Sequence, residues 1–261
     1  MSEKYPNILM IVCDQQRYDC IGYSEEYPVK TPNIDKLAAE GMWFNHAYTP
    51  IPTCCPARQS LLTGKRPESF GSHWNYNITL KIPALTPEET TWSEKLRQAG
   101  YNMSYLGKWH VSPDYDPLDF GYDQYIPQDE YEEFKNKNYP EVEYKEGFVG
   151  EKDFQFAGET NPIPYEDSRT HWFADKAIEI MKSYKDEDKP WHIRLDYSEP
   201  HLPCRPSPQF AKMYDPQNIP KWANFEDDFE DKPYIQKQQL LNWEIEDYTW
   251  EDWAPIVARY Y

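Results

Sequence analysis

Within one helical turn, Cys54-Cys55-Pro56-Ala57-Arg58 sets a thiol, a proline and a guanidinium close together. Proline suits the first turn of a helix, because its missing N–H would have no intrahelical partner there. Cys54 then sits at the helix N-terminus, where free N–H groups and the macrodipole favour an anion or a developing negative charge. Arg58, one turn in, can reach back to the same place. Gln59-Ser60-Leu61-Leu62-Thr63 continues the helix and Gly64 stops it. The competing reading is a buried structural cysteine pair ahead of a helix, a common fate of free cysteine.

Other chemistry-bearing side chains stand just after segments that read as strands. Asp14 and Gln15 follow Asn7 to Cys13, Lys108 and His110 follow Tyr101 to Leu106, and His201 follows Trp191 to Tyr197. An Asp in that place either caps the next turn or ligates a hard cation. Lys108 and His110 lie two apart, so an extended segment presents both on one side. A lysine by itself is a surface residue and a histidine by itself a packed one, so only their convergence speaks for a site. His46, His73 and His171 match no such pattern, and His192, which alternates with strand residues, is read as structural.

Asn7 to Cys13 is a continuous apolar run and reads as a central parallel strand, and Tyr101 to Leu106 and Trp191 to Tyr197 read as two further strands. Helical spacing, with glycine stops, covers Pro32 to Glu40 and Thr91 to Ala99, and a third helix runs from Asp167 to Tyr184. Met42-Trp43-Phe44 reads as an extended segment. Residues 112–165 are rich in Tyr, Pro and acids without a sustained period, and read as a long loop insertion. Alternating strands and helices predict an α/β fold, with helices on both faces of the sheet. In such sheets ligands bind outside the carboxyl ends of the strands. Asp14, Lys108, His110 and His201 all stand there.

Five segments in order resemble the sulfatases of the alkaline phosphatase-like superfamily, over residues 5 to about 210. They are Asp14-Gln15, Thr31 to Leu37, the C-x-P-x-R segment from Cys54 with its Leu62-Thr63-Gly64, Gly107 to His110, and Pro200-His201-x-Pro203. The resemblance implies a mixed, largely parallel sheet sandwiched by helices. It also implies oxidation of Cys54 to formylglycine by a sulfatase-maturing enzyme. Asp14, Gln15 and residue 54 would ligate a divalent metal, calcium first, with magnesium or manganese as alternatives. Gln15 stands where the family more often has a second Asp, and Ser112 where it usually has Gly.

By the same resemblance Lys108 binds a sulfate oxygen, Arg58 supports residue 54, and His110 contacts the hydrated formylglycine. His201 contacts the sulfate and the leaving oxygen as a general acid. The implied reaction is hydrolysis of a small sulfated substrate. An oxygen of the hydrated aldehyde attacks sulfur in line, and the other hydroxyl, deprotonated with help from His110, expels sulfate. Asp-Gln forms also resemble phosphonate monoester hydrolases, so a phosphonate or phosphate ester hydrolase is the alternative activity. A non-catalytic sulfatase-like fragment is the alternative of another class.

A later Asp-Asn or Asp-His metal pair and a further lysine, which the family pattern includes, are not found in the sequence. Residues 1–261 therefore read as the N-terminal part of a sulfatase catalytic domain, inactive without the remainder. The acid clusters between Glu226 and Asp252 follow no apolar strand and read as solvated faces. A net charge of −18 speaks against nucleic acid or an anionic membrane as partner. The five cysteines form no C-x2-C pair, and the first residues show neither a basic nor an apolar leader segment, which points to a reducing cytoplasm. Nothing in the sequence sets an oligomeric state.

Overall fold

β1 (Ile8–Cys13), β2 (Asn102–Gly107), β3 (Gln124–Pro127) and β4 (Trp191–Tyr197) form one sheet in the order β1-β4-β2-β3. All three pairings are parallel, with Cys13 opposite Tyr197 and Gly107 opposite Asp196. The structure is a computed structural model that describes residues 5–76, 85–144 and 158–261. Among these residues the helices are α1 (Pro32–Glu40), α2 (Cys54–Thr63), α3 (Trp92–Gln98), α4 (Gln128–Asn138), α5 (Arg169–Ser183), α6 (Tyr234–Asn242) and α7 (Trp250–Tyr260). The chain divides into two units. The first comprises residues 1–14, 46–137 and 169–198, and the second 15–45, 138–168 and 199–261.

The first unit holds the sheet. Strand periodicity sends alternate side chains to opposite faces. Met103 and Tyr105 of β2 pack with Leu62 of α2, Trp109, Phe120 and Tyr122, and Trp92 and Leu96 of α3 close that face. Leu106 of β2 and Ile193 and Leu195 of β4 turn to the other face, against Tyr131 of α4 and Phe173, Ala177 and Ile180 of α5. α3 begins in a capping box, with Glu94 N–H donating to the Thr91 hydroxyl and Thr91 N–H to the Glu94 carboxylate. α2 ends at Gly64, whose φ of 69° is the left-handed stop expected of it.

Two expectations need correction. Residues 112–165 are not one loop: they contain β3 and α4, while 145–157 lie outside the described residues. β3 has four residues, too few to show a period, and α4 is polar with only Tyr131 buried. The segment Met42 to Phe44 enters no strand, and both Met42 and Phe44 are exposed.

In the second unit α1 spans the predicted residues. α7 opens with a capping box in which Thr249 N–H donates to Asp252, one of the predicted solvated acids. Ile219, Val257 and Ala258 form its apolar cluster, flanked by Tyr214, Trp222, Trp250 and Tyr261. The Arg17 guanidinium lies 4.2 Å from the centre of the Trp222 ring.

His192 is structural, as expected, and its setting gives a measurable pH effect. Its buried ring meets Trp92 edge-on at 5.1 Å. Burial first, then the charge of Arg194, brings its pKa down from 6.5 to about 4. The folded chain thus binds its proton later than the unfolded chain, so between about pH 6.5 and pH 4 the unfolded state holds more protons. Stability falls as pH falls through that window, by up to about 3 kcal/mol from this group. Urea titrations at pH 7 and pH 4.5 check this: in His192→Gln the loss on acidification shrinks by about 2 kcal/mol.

Candidate active site

Asp14 follows β1, and its N–H donates to the Tyr197 carbonyl of β4 at 3.2 Å. Lys108 follows β2 and donates its N–H to the Asp196 carbonyl at 2.9 Å. The turn between β2 and Lys108 needs glycine. Gly107 has φ 91°, and a Cβ there would lie 2.1 Å from the Asp196 carbonyl oxygen. His110 is itself left-handed at φ 47°, a conformation uncommon outside glycine. Its ring meets Tyr76 edge-on at 5.2 Å.

α2 brings its N-terminus to the same edge. Cys54 Sγ lies 3.6 Å from Asp14 Oδ1. Asp14 Oδ2 takes two cations, Lys108 Nζ at 2.5 Å and Arg58 Nη2 at 3.1 Å. Arg58 is 5% exposed, and its Nη1 donates to Asp196 Oδ2 at 2.6 Å and to the Lys108 carbonyl at 2.9 Å. Of the predicted residues in the first unit, Asp14, Cys54, Arg58 and Lys108 therefore meet directly, and His110 follows two residues after Lys108.

Sequence reasoning passed over the groups beneath. Arg194 grips Asp196 with two hydrogen bonds, Nε to Oδ1 at 2.9 Å and Nη2 to Oδ2 at 2.8 Å. The Tyr105 hydroxyl donates to Asp196 Oδ2 at 2.7 Å. All three side chains are fully or almost fully buried. Arg58, Lys108 and Arg194 against Asp14 and Asp196 leave one positive charge in excess, which suits an anion at the exposed end of the cluster.

Burial pushes the Cys54 thiol above its usual range and the Asp14 carboxylate adds to this, while Lys108 and Arg58 offset part of it. Cys54 is thus held as a thiol at neutral pH, the opposite of an activated thiolate nucleophile. Cys55 is fully buried and pushed up to about 11, mainly by that burial. The donor chemistry at Asp14, a carboxylate whose Oδ1 lies 3.6 Å from the side chain of residue 54, is that of a ligand for a hard divalent cation. Sulfur at position 54 is a soft ligand, whereas an oxygen there would match the carboxylate.

Gln15 and His201 belong to the second unit. Gln15 has φ 64°, and its carbonyl accepts from the Tyr260 hydroxyl at 2.6 Å. His201 is exposed, with Nδ1 2.6 Å from the Leu202 carbonyl, and follows the cis Glu199-Pro200 bond.

The sulfatase family model matches residues 6–249. This chain belongs to the sulfatase family. An arylsulfatase of Clostridium perfringens is 29% identical over 255 residues, covering 85% of this chain and 50% of that protein. An uncharacterized sulfatase of Escherichia coli is 31% identical over 239 residues, covering 88% and 45%. The chain thus spans about half the length of the curated relatives it matches. Among solved structures, the phosphonate monoester hydrolase of Agrobacterium radiobacter has the same fold, with a TM-score of 0.73 over 98% of this chain and 56% of that one, at 20% identity. The α/β sheet expected from the sequence is the fold that this chain shares with that hydrolase.

Proposed function

We propose that this sulfatase-family chain carries the nucleophile-bearing part of a sulfate ester hydrolase site, with Cys54 as the residue converted to formylglycine. The observation that carries the proposal is the meeting of Cys54, Lys108 and Arg58 around the Asp14 carboxylate at one sheet edge. A hydrated aldehyde at position 54 would supply the oxygen nucleophile, and a divalent cation on Asp14 would neutralise charge developing there. The chain's own residues do the remainder. Lys108, backed by Arg58, holds negative oxygens of the transferring group. His110, on the same loop, takes a proton. Gln15 and His201, in the second unit, are the metal-ligand and general-acid candidates that the family resemblance names.

Position 54, and not 55, has proline and arginine at the second and fourth places after it. Cys55 is also enclosed, with its N–H bound to Asn75 Oδ1 at 2.9 Å. Coexpression with a maturing enzyme that acts on cysteine should convert Cys54 to the aldehyde and leave Cys55 a thiol. A mass spectrum of the peptide spanning both residues checks this. Conversion at Cys55, or at neither, sinks the assignment. Hydrolysis of an aryl sulfate in preference to an aryl phosphonate by the matured full-length protein then supports the sulfatase activity, and the reverse preference overturns it.

A further inference from the structure

Beside the strand-end cluster lies a cleft of about 450 Å3, lined among others by Tyr76, Lys108, His110, Tyr125, Gln128 and Asp129. All of these residues belong to the first unit. The volume is that of a small-molecule pocket with room for a ring or two. Its charges are polarised. Lys108 stands at the inner end, paired with Asp14 and backed by Arg58, and Asp129 stands in the exposed first turn of α4.

The walls between these ends are fixed. Tyr125 packs edge-on against Tyr105 at 5.6 Å, and its hydroxyl donates to the Gly107 carbonyl at 3.4 Å. Gln128 Nε2 donates to the Ser198 hydroxyl. Tyr76 stands edge-on to the His110 ring. Tyr76 and Tyr125 therefore offer aromatic surface to a ring, and Asp129 is left as the acidic group of the wall. Its charge is felt inside: burial first, then Asp116 and Asp129, pushes the Tyr125 phenol well above its usual range.

We infer that this cleft takes the alcohol portion of the ester, that it selects an uncharged single ring carrying one anionic group, and that Asp129 is the residue that turns away a second anion. The inference rests on the sulfatase reading of Lys108. The inner cation holds the sulfate group, the ring lies along Tyr76 and Tyr125, and substituents on its far side approach the Asp129 carboxylate. A carboxylate or second sulfate there meets the like charge of the exposed Asp129. At about 7 Å and intermediate dielectric that repulsion is worth roughly a fivefold to tenfold change in affinity. A hydroxyl in the same place can instead donate to Asp129.

The test uses this chain with Cys54 unconverted, so that esters bind without turnover. NMR-monitored titrations with phenyl sulfate and with 4-carboxyphenyl sulfate are run on the native chain and on Asp129→Asn. Circular dichroism confirms that the exposed substitution leaves the fold unchanged. Asp129→Asn is expected to tighten 4-carboxyphenyl sulfate by about fivefold to tenfold at low salt, less at high salt, and to leave phenyl sulfate within twofold. If phenyl sulfate binds but the substitution changes both esters alike, or neither, the inference fails while the sulfatase reading stands. If the native chain binds neither ester, the reading of Lys108 fails and takes the inference with it.

Discussion

Asp196→Ala is expected to cost this chain about 3–5 kcal/mol of folding stability. Asp196 is 1% exposed, Arg194 0% and Arg58 5%, and its carboxylate is the partner the two guanidiniums share. Removing it strands Arg194 in the interior and leaves Arg58 with Asp14 and the Lys108 carbonyl among the described residues. Burying an uncompensated charge costs far more than the lost hydrogen bonds themselves. Urea unfolding followed by tryptophan fluorescence measures the loss. Arg194→Met combined with Asp196→Leu should lose less than Asp196→Ala alone, because the pair leaves together and apolar atoms fill its space. A loss below about 1 kcal/mol in Asp196→Ala would mean that water or another group compensates Arg194.

The reason Arg194 and Asp196 escape a reading of the sequence lies in strand periodicity. Trp191 to Tyr197 alternates apolar and polar residues, the pattern of a strand with one wet face. Here the polar face is buried against Tyr105 and Arg58, and only the fold reveals that. β1 is legible because its six residues are continuously apolar. α3 is legible through Thr91, Glu94 and Gly100, which mark its cap and stop in the sequence itself. Asp14, Cys54, Arg58 and Lys108 are legible because the ends of parallel strands and a helix N-terminus are where α/β sheets place ligands. β3 and α4 carry too few apolar residues to announce themselves, yet they supply Tyr125, Gln128 and Asp129 of the cleft. The left-handed turn at His110 is equally silent, since no glycine marks it.

Lys108→Ala is expected to lower kcat/KM of the matured full-length sulfatase for an aryl sulfate by about 100- to 1000-fold, the usual cost of losing a group that holds developing charge. The strand end places Lys108 rigidly: its N–H is tied to Asp196, its carbonyl accepts from Arg58, and its Nζ lies 2.5 Å from Asp14. The loss should therefore come from the missing charge and not from a displaced loop. Lys108→Arg, which keeps the charge on a larger planar head, should recover only part of it. A second readout needs no turnover. Lys108 lowers the Cys54 pKa and Asp14 raises it. Lys108→Ala should move the thiol pKa further up and Asp14→Asn should move it down, as read from the pH dependence of iodoacetamide alkylation of the unmatured chain. Turnover within threefold of the native protein, together with a Cys54 pKa that moves in neither variant, would show that Lys108 does not act at the residue that Asp14 and Cys54 mark.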